Sequence, residues 1–258
     1  MAHPSPNPFD LHGRVAVVTG GNRGIGLGIA HGLARAGAAI AIWARDETTS
    51  ERAAAELAAH GTEIQALRCD VSSQQDVVDA AKATLDHFGH IDAGFANAGF
   101  GRPADALKLD LADFQNLMGT NLEGVFLTFR ELGRHMKERA SGGKLVAISS
   151  ISAQSATPMQ PHYAASKAGI EALVRAYAVR LARYDVQVNA VQPGWITTEA
   201  TAPAVENSAF SDLIVKRIPA RRWGSPDDLA GISVYLASDA SRYHTGDTIR
   251  VDGGYAIF

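Results

Sequence analysis

Short apolar segments rich in β-branched residues alternate along the chain with longer segments whose apolar residues recur every three or four positions. RVAVVTG is followed by GIGLGIAHGLARAG, and AAIAIWA by SERAAAELAAHG. A short apolar run predicts a strand buried on both faces, and the longer period predicts an amphipathic helix. Five more strand-like segments follow: EIQALRC, HIDAGFANAG, GKLVAISS, VQVNAVQPG and GDTIRVDGG.

Repeated strand–helix–strand units predict an α/β fold, namely a single doubly wound Rossmann-like domain. We expect a seven-stranded parallel sheet with helices on both faces, because the strands are short and apolar throughout. The length of 258 residues suits one large domain, and no linker-like stretch divides it. We predict this domain over residues 13–258, after an extended or disordered lead-in at residues 1–12 that contains three spaced prolines.

Three further segments have distinct predictions. LADFQNLMGTNLEGVFLTFRELGRHMKERA is predicted to be one long helix, and YAASKAGIEALVRAYAVRLARY another. The least regular stretch is TEATAPAVENSAFSD, which we interpret as part of a mobile lid at about residues 198–218. A late helix is expected in SPDDLAGISVYLAS, with Ser225 as its cap.

Composition and charge exclude several classes of protein. A hydrophobic fraction of 46%, a charged fraction of 20% and a net charge of -3 are ordinary for a globular chain and indicate neither nucleic acid nor anionic membrane as a partner. We find no apolar run long enough for a membrane span and no secretory signal. The single Cys69 excludes an internal disulfide framework and favours a cytoplasmic location. Nine histidines show no metal-ligand spacing within a helix, so we predict no metal.

The segment TGGNRGIG, from Thr19 to Gly26, lies where the first strand meets the first helix. A tight turn there favours glycine, and the free N–H groups of the helix start can bind a phosphate. The spacing is G-x-x-x-G-x-G rather than G-x-G-x-x-G. In this strand–turn–helix context it predicts a dinucleotide site. The alternative is a helix start that uses small residues only to pack on the sheet.

The end of the second strand bears on the choice of cofactor. An acidic residue there would bind the ribose hydroxyls of NAD, but this strand ends with Ala44 followed by Arg45. A guanidinium suits a 2'-phosphate, and Arg23 in the glycine loop can add a second charge. We therefore expect NADP(H) to be preferred over NAD(H). The alternative is that both arginines are solvated surface residues.

The stretch HYAASKAG places Tyr163 and Lys167 four residues apart, one turn along a helix. A phenol ordinarily loses its proton near pH 10, and a neighbouring ammonium favours the phenolate. The pair predicts an acid/base site. Taken alone, it fits equally an alanine-rich helix that carries two ordinary polar residues.

Together, the glycine loop, the Tyr-x-x-x-Lys pair and the α/β alternation resemble the short-chain dehydrogenase/reductase family, in particular its 3-oxoacyl-ACP reductase-like and carbonyl reductase branch. The resemblance runs from about Leu11 to Tyr255, and CDVS, NAG, TNLEGVF, ISS, PGWITT and VDGG match family motifs in order. Two positions depart from the family pattern. Ala96 replaces the first asparagine of NNAG, and Asp185 stands where glycine is common, which leaves the conformation of that turn open.

The resemblance implies four catalytic residues. Tyr163 would be the proton donor to a carbonyl or the base for an alcohol, and Lys167 would lower its pKa and hold the nicotinamide ribose. Ser150 would hydrogen-bond the substrate oxygen, and Asn121 would hold a water that relays protons to Lys167. The resemblance also implies cofactor contacts at Gly20, Asn22, Arg23, Gly24, Ile25, Gly26, Arg45, Asp70, Val71, Asn97, Ala98, Gly99, Tyr163, Lys167, Pro193, Gly194, Ile196 and Thr198.

We infer an NADP(H)-dependent oxidoreductase that interconverts a ketone or aldehyde and its alcohol. An NAD(H)-dependent alcohol or sugar/polyol dehydrogenase, an epimerase or dehydratase, and a non-catalytic dinucleotide sensor are the alternatives. All four catalytic positions are filled, which argues against the sensor. A mostly apolar substrate wall is expected from residues near the motifs: Phe100, Ile151, Gln154, Met159, Trp195, Phe210 and Leu213.

Two expectations concern charges and partners. Arg217, Arg221 and Arg222 follow the lid and are interpreted as a solvated or subunit-contacting cluster, with binding of an acidic substrate group as the alternative. The family resemblance implies that the two long helices pair between subunits, which predicts a homotetramer or a homodimer.

Overall fold

Seven strands form one sheet in the computed structural model, which describes residues 7–155 and 157–258. All neighbours pair in parallel, in the order β3-β2-β1-β4-β5-β6-β7, which confirms the predicted doubly wound α/β fold. The strands are β1 (Val15–Thr19), β2 (Ala39–Ala44), β3 (Ile64–Arg68), β4 (Ala93–Ala96), β5 (Gly143–Ile148), β6 (Val186–Pro193) and β7 (Thr248–Val251).

Two apolar clusters lie on opposite faces of this sheet. Val17 belongs to one cluster and its neighbours Ala16 and Val18 to the other, because successive side chains of a strand point to opposite faces. Every residue of β1 and β6 is buried. The continuous apolar runs of the sequence therefore reflect strands that are covered on both sides by helices.

The helices of the described residues fill these two faces. Asp46, Ser73 and Asp110 cap three of them, each side chain accepting a hydrogen bond from the backbone N–H three residues later. The helices are α1 (Gly24–Arg35), α2 (Glu47–Ala58), α3 (Gln74–Phe88), α4 (Leu111–Met118), α5 (Gly124–Arg139), α6 (Pro161–Leu181), α7 (Ala202–Glu206), α8 (Ser208–Arg217) and α9 (Ala230–Ala237).

The segment predicted as one long helix before β5 is interrupted by a π-helical turn, Gly119–Glu123, between α4 and α5. Asn121 lies in this turn and is fully buried. Such wide turns are rare and often occur at functional sites, because they change the direction of a side chain. The apolar period of the sequence continues through the turn and so gives no sign of it.

The lid segment differs from its irregular prediction, because it forms α7 and α8. Asn207 caps α8 by accepting a hydrogen bond from the Phe210 N–H, and the Trp223 indole N–H donates to the Ser211 hydroxyl at 2.9 Å. Proline and serine in this stretch are helix-start residues, which the sequence interpretation took as signs of a loop. Movement of the segment remains a prediction.

The lead-in also departs from an extended chain where the structure describes it. Residues 1–6 lie outside the described residues, and residues 7–12 contain turns. Leu11 is 1% exposed and belongs to an apolar cluster, and its backbone N–H donates to Ala36 O at 2.9 Å. Burial of one leucine among prolines and polar residues was not visible in the composition of the segment.

Asp185 adopts the left-handed backbone conformation, with φ of 57°. Its carbonyl accepts a hydrogen bond from Gly143 N, and its carboxylate accepts one from Gln187 Nε2 at 3.0 Å. Aspartate tolerates this region better than most non-glycine residues. The turn before β6 thus keeps a glycine-like conformation despite the substitution.

Two helical glycines should respond oppositely to alanine. A Cβ on Gly28 of α1 would lie 2.5 Å from Pro226 O, whereas nothing lies within 4 Å of a Cβ on Gly231 of α9. We expect Gly28→Ala to lower the free energy of unfolding by about 1–3 kcal/mol through overpacking. Gly231→Ala should raise it by roughly 0.5–1 kcal/mol, because alanine favours helix. Urea denaturation measures both, and equal effects would contradict the packing of α1 on Pro226.

Candidate active site

A cleft of about 910 Å³ opens at the carboxyl ends of the strands. Its walls include residues that follow β1 and β4, the two central strands where the strand order reverses. Ligands of open parallel sheets bind at such a reversal. Arg45 lies on the wall after β2, and Trp195 lies on the wall after β6. All residues predicted to contact a cofactor line this cleft.

The glycine loop after β1 is held against the segment after β4. Gly20 has φ of 63°, which favours glycine, and a Cβ on Gly26 would lie 2.2 Å from Gly20 O. The Asn97 amide donates to Thr19 O at 3.0 Å and to Gly20 O at 3.3 Å, while the Thr19 hydroxyl accepts from the backbone N–H groups of Asn97 and Ala98. The NAG motif therefore holds the glycine loop in place through these hydrogen bonds.

The loop leads directly into the N-terminus of α1. Arg23 stands at the cap position without a side-chain cap, and the first turn carries no acidic residue. The free N–H groups and the positive end of the helix dipole thus face the cleft without a protein anion to satisfy them. This cradle fits the pyrophosphate of a dinucleotide, because it offers free N–H groups in a loop whose close turn leaves no room for a side chain at Gly26.

Arg23 and Arg45 both line the end of the cleft beside β2. The Arg45 guanidinium lies 3.9 Å from a carboxylate oxygen of Asp70. The neighbouring Asp46, which sequence analysis did not single out, also lines the cleft, but its carboxylate accepts the Thr49 N–H at the start of α2. That hydrogen bond is the main reason why the pKa of Asp46 is lowered. The only acid directly after β2 is therefore engaged as a helix cap.

Ser150, Tyr163 and Lys167 lie together on the wall between β5 and α6. Ser150 follows β5 and starts a short 3-10 turn, Ile151–Ala153, accepting from the Ser152 N–H at 3.2 Å. The Lys167 ammonium lies 5.6 Å from the centroid of the Tyr163 ring and donates to Ile148 O at 2.7 Å. Helix α6 thus presents Tyr163 and Lys167 toward the end of β5.

Burial governs the protonation of this group. Lys167 is 5% exposed, and burial lowers its pKa to about 8. Burial also raises the pKa of the Tyr163 phenol, opposed by a hydrogen bond with Ser150 that favours the phenolate. Sequence analysis expected Lys167 to lower the pKa of Tyr163. In this structure a hydrogen bond with Ser150 lowers the pKa of Tyr163, and the Lys167 ammonium donates to Ile148 O, so the effect of Lys167 on the phenol remains a prediction.

Asn121 lies behind the cleft wall rather than on it. Its side-chain carbonyl accepts from Phe100 N at 3.0 Å and its amide donates to Phe100 O at 2.9 Å. A Cβ on Gly99 would lie 3.0 Å from the Asn121 carbonyl oxygen and 3.7 Å from the Lys167 ammonium. The π-helical turn therefore aims this amide at the loop after β4. The predicted water relay through Asn121 remains a prediction.

The segment after β6 closes the cleft opposite α6. Gly194 N donates to Val251 O at 2.9 Å, and Ile196 forms a parallel bridge with Gly224. Thr198 N donates to the Thr201 hydroxyl at 2.8 Å, and the Thr198 methyl would be 3.4 Å from a Cβ on Gly24. This close approach joins the PGWITT segment to the glycine loop across the cleft.

The predicted substrate wall is present only in part. Phe100, Ile151, Met159 and Trp195 line the cleft, but Gln154, Phe210 and Leu213 do not. Gln154 accepts a hydrogen bond from Arg250 instead, Phe210 packs edge-on against Trp195, and Leu213 is 66% exposed. Sequence analysis missed further lining residues, which lie within a few positions of the motifs: Gly101, Ser152, Thr157, Gln160, Glu199, Ala200 and Thr201.

The arginines after α8 are engaged outside the cleft. Arg222 makes a bidentate pair with Asp228 at 2.7 and 2.8 Å, and Arg221 donates to Lys216 O at 2.6 Å. Arg217 lies over the Tyr255 ring. These contacts favour the surface cluster over the acidic-substrate alternative.

Two other features are absent from the described part of the chain. None of its helices is both long and apolar enough to cross a membrane. Residues 7–155 and 157–258 contain no group of three or more His, Cys, Asp or Glu side chains arranged to hold a metal ion.

Comparison with known proteins identifies the family. The family model described as enoyl-(acyl carrier protein) reductase matches residues 20–256. Gluconate 5-dehydrogenase of Gluconobacter oxydans (strain 621H) is 36% identical over 257 residues, covering 100% of this chain and 99% of that protein. The 3-oxoacyl-[acyl-carrier-protein] reductase of Synechocystis sp. is 36% identical over 250 residues, covering 96% and 99%.

A solved structure agrees with the sequence relatives. The crystal structure of a gluconate 5-dehydrogenase from Burkholderia cenocepacia J2315, in complex with NADP and tartrate, has a TM-score of 0.93 and 38% identity, covering 97% of this chain and 98% of that one. The chain therefore belongs to the short-chain dehydrogenase/reductase family and is an NAD(P)-dependent oxidoreductase that interconverts CH–OH and C=O groups by hydride transfer.

Proposed function

We propose that this chain is an NADP(H)-dependent enzyme acting on an uncharged, largely apolar ketone or aldehyde and its alcohol, with Tyr163 as the acid/base. One observation carries the proposal. Ser150, Tyr163 and Lys167 share a wall of a cleft that also contains two arginines beside β2 and an apolar patch beside Trp195. The cleft therefore provides an acid/base group, an anion site and a hydrophobic surface.

When bound, the nicotinamide cofactor supplies or accepts the hydride. Tyr163 donates its phenolic proton to the carbonyl oxygen during reduction and takes the proton from the alcohol during oxidation. Ser150 hydrogen-bonds the same oxygen and stabilises the charge that develops on it. Because burial raises the pKa of Tyr163, the phenol is protonated at neutral pH and ready to act as the acid.

Lys167 supports this chemistry from within the helix. Its ammonium is anchored by Ile148 O, so it stands at a fixed place below the Tyr163 ring. We propose that its remaining N–H groups bind the ribose of the nicotinamide and that its charge favours the phenolate once the cofactor is bound. Asn121 holds the loop that carries Gly99 and Phe100 against this pair.

Tyr163→Phe should abolish turnover while leaving NADPH binding nearly intact. The substitution removes only the hydroxyl, and general acid/base groups contribute about 10²- to 10⁴-fold to a rate. Steady-state kinetics and fluorescence titration with NADPH measure the two effects. Tyr177→Phe is the matched control, because this tyrosine packs on Phe129 away from the cleft. Near-wild-type turnover of Tyr163→Phe would refute the assignment.

Preference for NADP(H) is supported by Arg23 and Arg45 at the cleft end where the 2'-phosphate would lie. Ala44 offers no carboxylate for ribose hydroxyls, and Asp46 is engaged by Thr49 N. Arg45 can exchange its long contact with Asp70 for a phosphate, because charge-assisted forked hydrogen bonds are stronger than an exposed 3.9 Å ion pair.

Arg45→Ala should raise the Kd of NADPH roughly 10- to 150-fold, since a hydrogen bond to a charged group contributes about 1.5–3 kcal/mol. The Kd of NADH should not change, because NADH carries no 2'-phosphate. Arg52→Ala on α2 is a matched control, as Arg52 is exposed and its guanidinium contacts Thr49 outside the cleft. Isothermal titration measures these constants, and equal losses for both cofactors would contradict a phosphate-binding role for Arg45.

The substrate proposal rests on the apolar side chains Phe100, Ile151, Met159 and Trp195. Among the described lining residues, the cationic side chains are Arg23, Arg45 and Lys167, and the charged residue of the lid segment is the acidic Glu199. Several relatives are named for gluconate or its keto derivatives. None of these three cationic residues follows β6, where Trp195 lies, and Glu199, four positions after Trp195, is acidic, which favours an uncharged compound.

A panel of carbonyl compounds with NADPH and NADH tests this proposal. We expect kcat/KM to be higher for cyclic and aromatic ketones than for 5-keto-gluconate, because desolvation of an unpaired carboxylate is unfavourable. Glu199→Gln should improve the anionic substrate and leave the neutral ones unchanged. A preference for the sugar acid in the wild-type enzyme would support the sugar/polyol alternative instead.

We also propose a homotetramer or homodimer in the cytoplasm. Phe126 on α5 and Val179 on α6 are exposed apolar residues on the two helices that the family resemblance assigns to subunit contacts. Burial of these residues by a second copy would remove apolar surface from water. Light scattering on the purified chain measures the assembly, and cell fractionation measures the location.

A further inference from the structure

A buried carboxylate lies behind the catalytic wall. Glu171 is 8% exposed and stands on α6 four residues after Lys167. Its Oε1 atom accepts hydrogen bonds from the Ser149 hydroxyl at 2.8 Å and from Gln192 Nε2 at 2.9 Å. The Ser149 hydroxyl also lies 3.2 Å from Lys167 O. A carboxylate this deeply buried is retained at a cost in desolvation, so its contacts must be favourable in the native state.

The hydrogen bonds continue from Glu171 to the surface. Gln192 Oε1 accepts from Arg250 Nε at 2.8 Å, and Arg250 Nη2 donates to Gln154 Oε1 at 2.7 Å. The side chains of Ser149, Glu171, Gln192, Arg250 and Gln154 therefore form one continuous network, which we call the Glu171 network. Arg250, at the outer end of the network, is positively charged. Its hydrogen bond polarises the Gln192 amide, which in turn donates to the buried Glu171 carboxylate.

Three members of the Glu171 network adjoin active-site segments along the chain. Ser149 directly precedes Ser150, and Gln154 follows the short 3-10 turn that Ser150 begins, so the network holds both ends of this turn. Gln192 directly precedes Pro193 and Gly194, which line the cleft. Three chain segments that meet only in the tertiary structure are thus joined at a single carboxylate oxygen.

We propose that Glu171 is a positioning residue that fixes Ser150 relative to Tyr163 and Lys167, so that the serine hydroxyl reaches the substrate oxygen. The proposal rests on the catalytic roles proposed above for Ser150 and Tyr163. Without the carboxylate, the buried amide of Gln192 loses its acceptor and the Ser149 hydroxyl keeps only the longer contact with Lys167 O, so the ends of β5 and β6 can shift. A displacement of about 1 Å at a catalytic group can reduce a rate on the order of 100-fold.

Glu171→Ala and Glu171→Gln separate positioning from charge. The glutamine oxygen can accept both hydrogen bonds that Oε1 accepts, whereas alanine accepts neither. We expect Glu171→Ala to lower kcat about tenfold or more, with the Kd of NADPH little changed, and Glu171→Gln to keep most of the activity. Each rate is divided by the concentration of NADPH-binding sites. A variant that is partly unfolded is then not mistaken for one with a lower kcat.

The pH profile gives a readout that a merely structural role would not move. Alcohol oxidation requires the Tyr163 phenolate, and the hydrogen bond with Ser150 favours that form. If Ser150 is displaced, the pKa of Tyr163 rises. The rate of alcohol oxidation then begins to increase only at a higher pH. We expect this shift in Glu171→Ala and not in Glu171→Gln.

Two glutamines of β6 provide a matched pair. Gln192 belongs to the Glu171 network, while Gln187 is also buried but hydrogen-bonds Asp185 at the other end of the strand. Gln192→Leu should reproduce the loss of kcat and the pH shift, and Gln187→Leu should change neither. If Glu171→Ala does not fold, Gln192→Leu decides by the same readouts.

The outcomes are distinguishable. Wild-type kcat and pH profile in Glu171→Ala, whatever its melting temperature, would overturn the positioning role while leaving the proposed function intact, provided that Ser150→Ala and Tyr163→Phe are inactive. If Ser150→Ala and Tyr163→Phe also turn over normally, the proposed function fails and the inference fails with it. Loss of activity in Glu171→Gln equal to that in Glu171→Ala would likewise overturn the role of the two accepted hydrogen bonds.

Discussion

The active site depends on the parallel pairing of β1 with β4 and on the hydrogen bonds that Asn97 makes at the end of that pair. At this point the strand order reverses, so the helices that follow the two strands lie on opposite faces of the sheet and leave an open crevice. Asn97 ties the segment after β4 to Thr19 and Gly20. The phosphate cradle and the loop leading to Phe100 are therefore built as one unit.

Buried polar groups dominate the catalytic half of this crevice. Lys167, Asn121 and Glu171 lie on or beside α6, and each has specific hydrogen-bond partners: Ile148 O, the Phe100 peptide, and Ser149 with Gln192. Burying such groups without partners would destabilise the fold, so the same bonds that satisfy them also fix their positions. Burial in turn lowers the pKa of Lys167 and raises that of Tyr163, so the phenol keeps its proton at neutral pH.

The two ends of the crevice differ in charge. Arg23 and Arg45 line the cleft beside β2, while Trp195 follows β6 on the other half of the sheet and packs against Phe210. Under the proposed function, the first end would bind the 2'-phosphate and the second an apolar carbonyl compound. The cationic and the apolar residues follow different strands of one sheet. Cofactor choice and substrate choice can therefore vary independently in this fold.

The sequence by itself determined the seven strands, the parallel sheet and those cleft residues that lie within its motifs, because apolar period and motif spacing are local properties of the chain. Only the tertiary structure decided the π-helical turn at Asn121, the helices of the lid segment and the burial of Leu11, since each depends on contacts with distant residues. It also decided that Gln154 faces Arg250 rather than the cleft, and that Glu171 meets Ser149 and Gln192. Hydrogen bonds between residues far apart in the chain produce no repeating pattern in the sequence. The residues that support the site from behind are therefore recognised only in the folded structure, where the strands lie side by side.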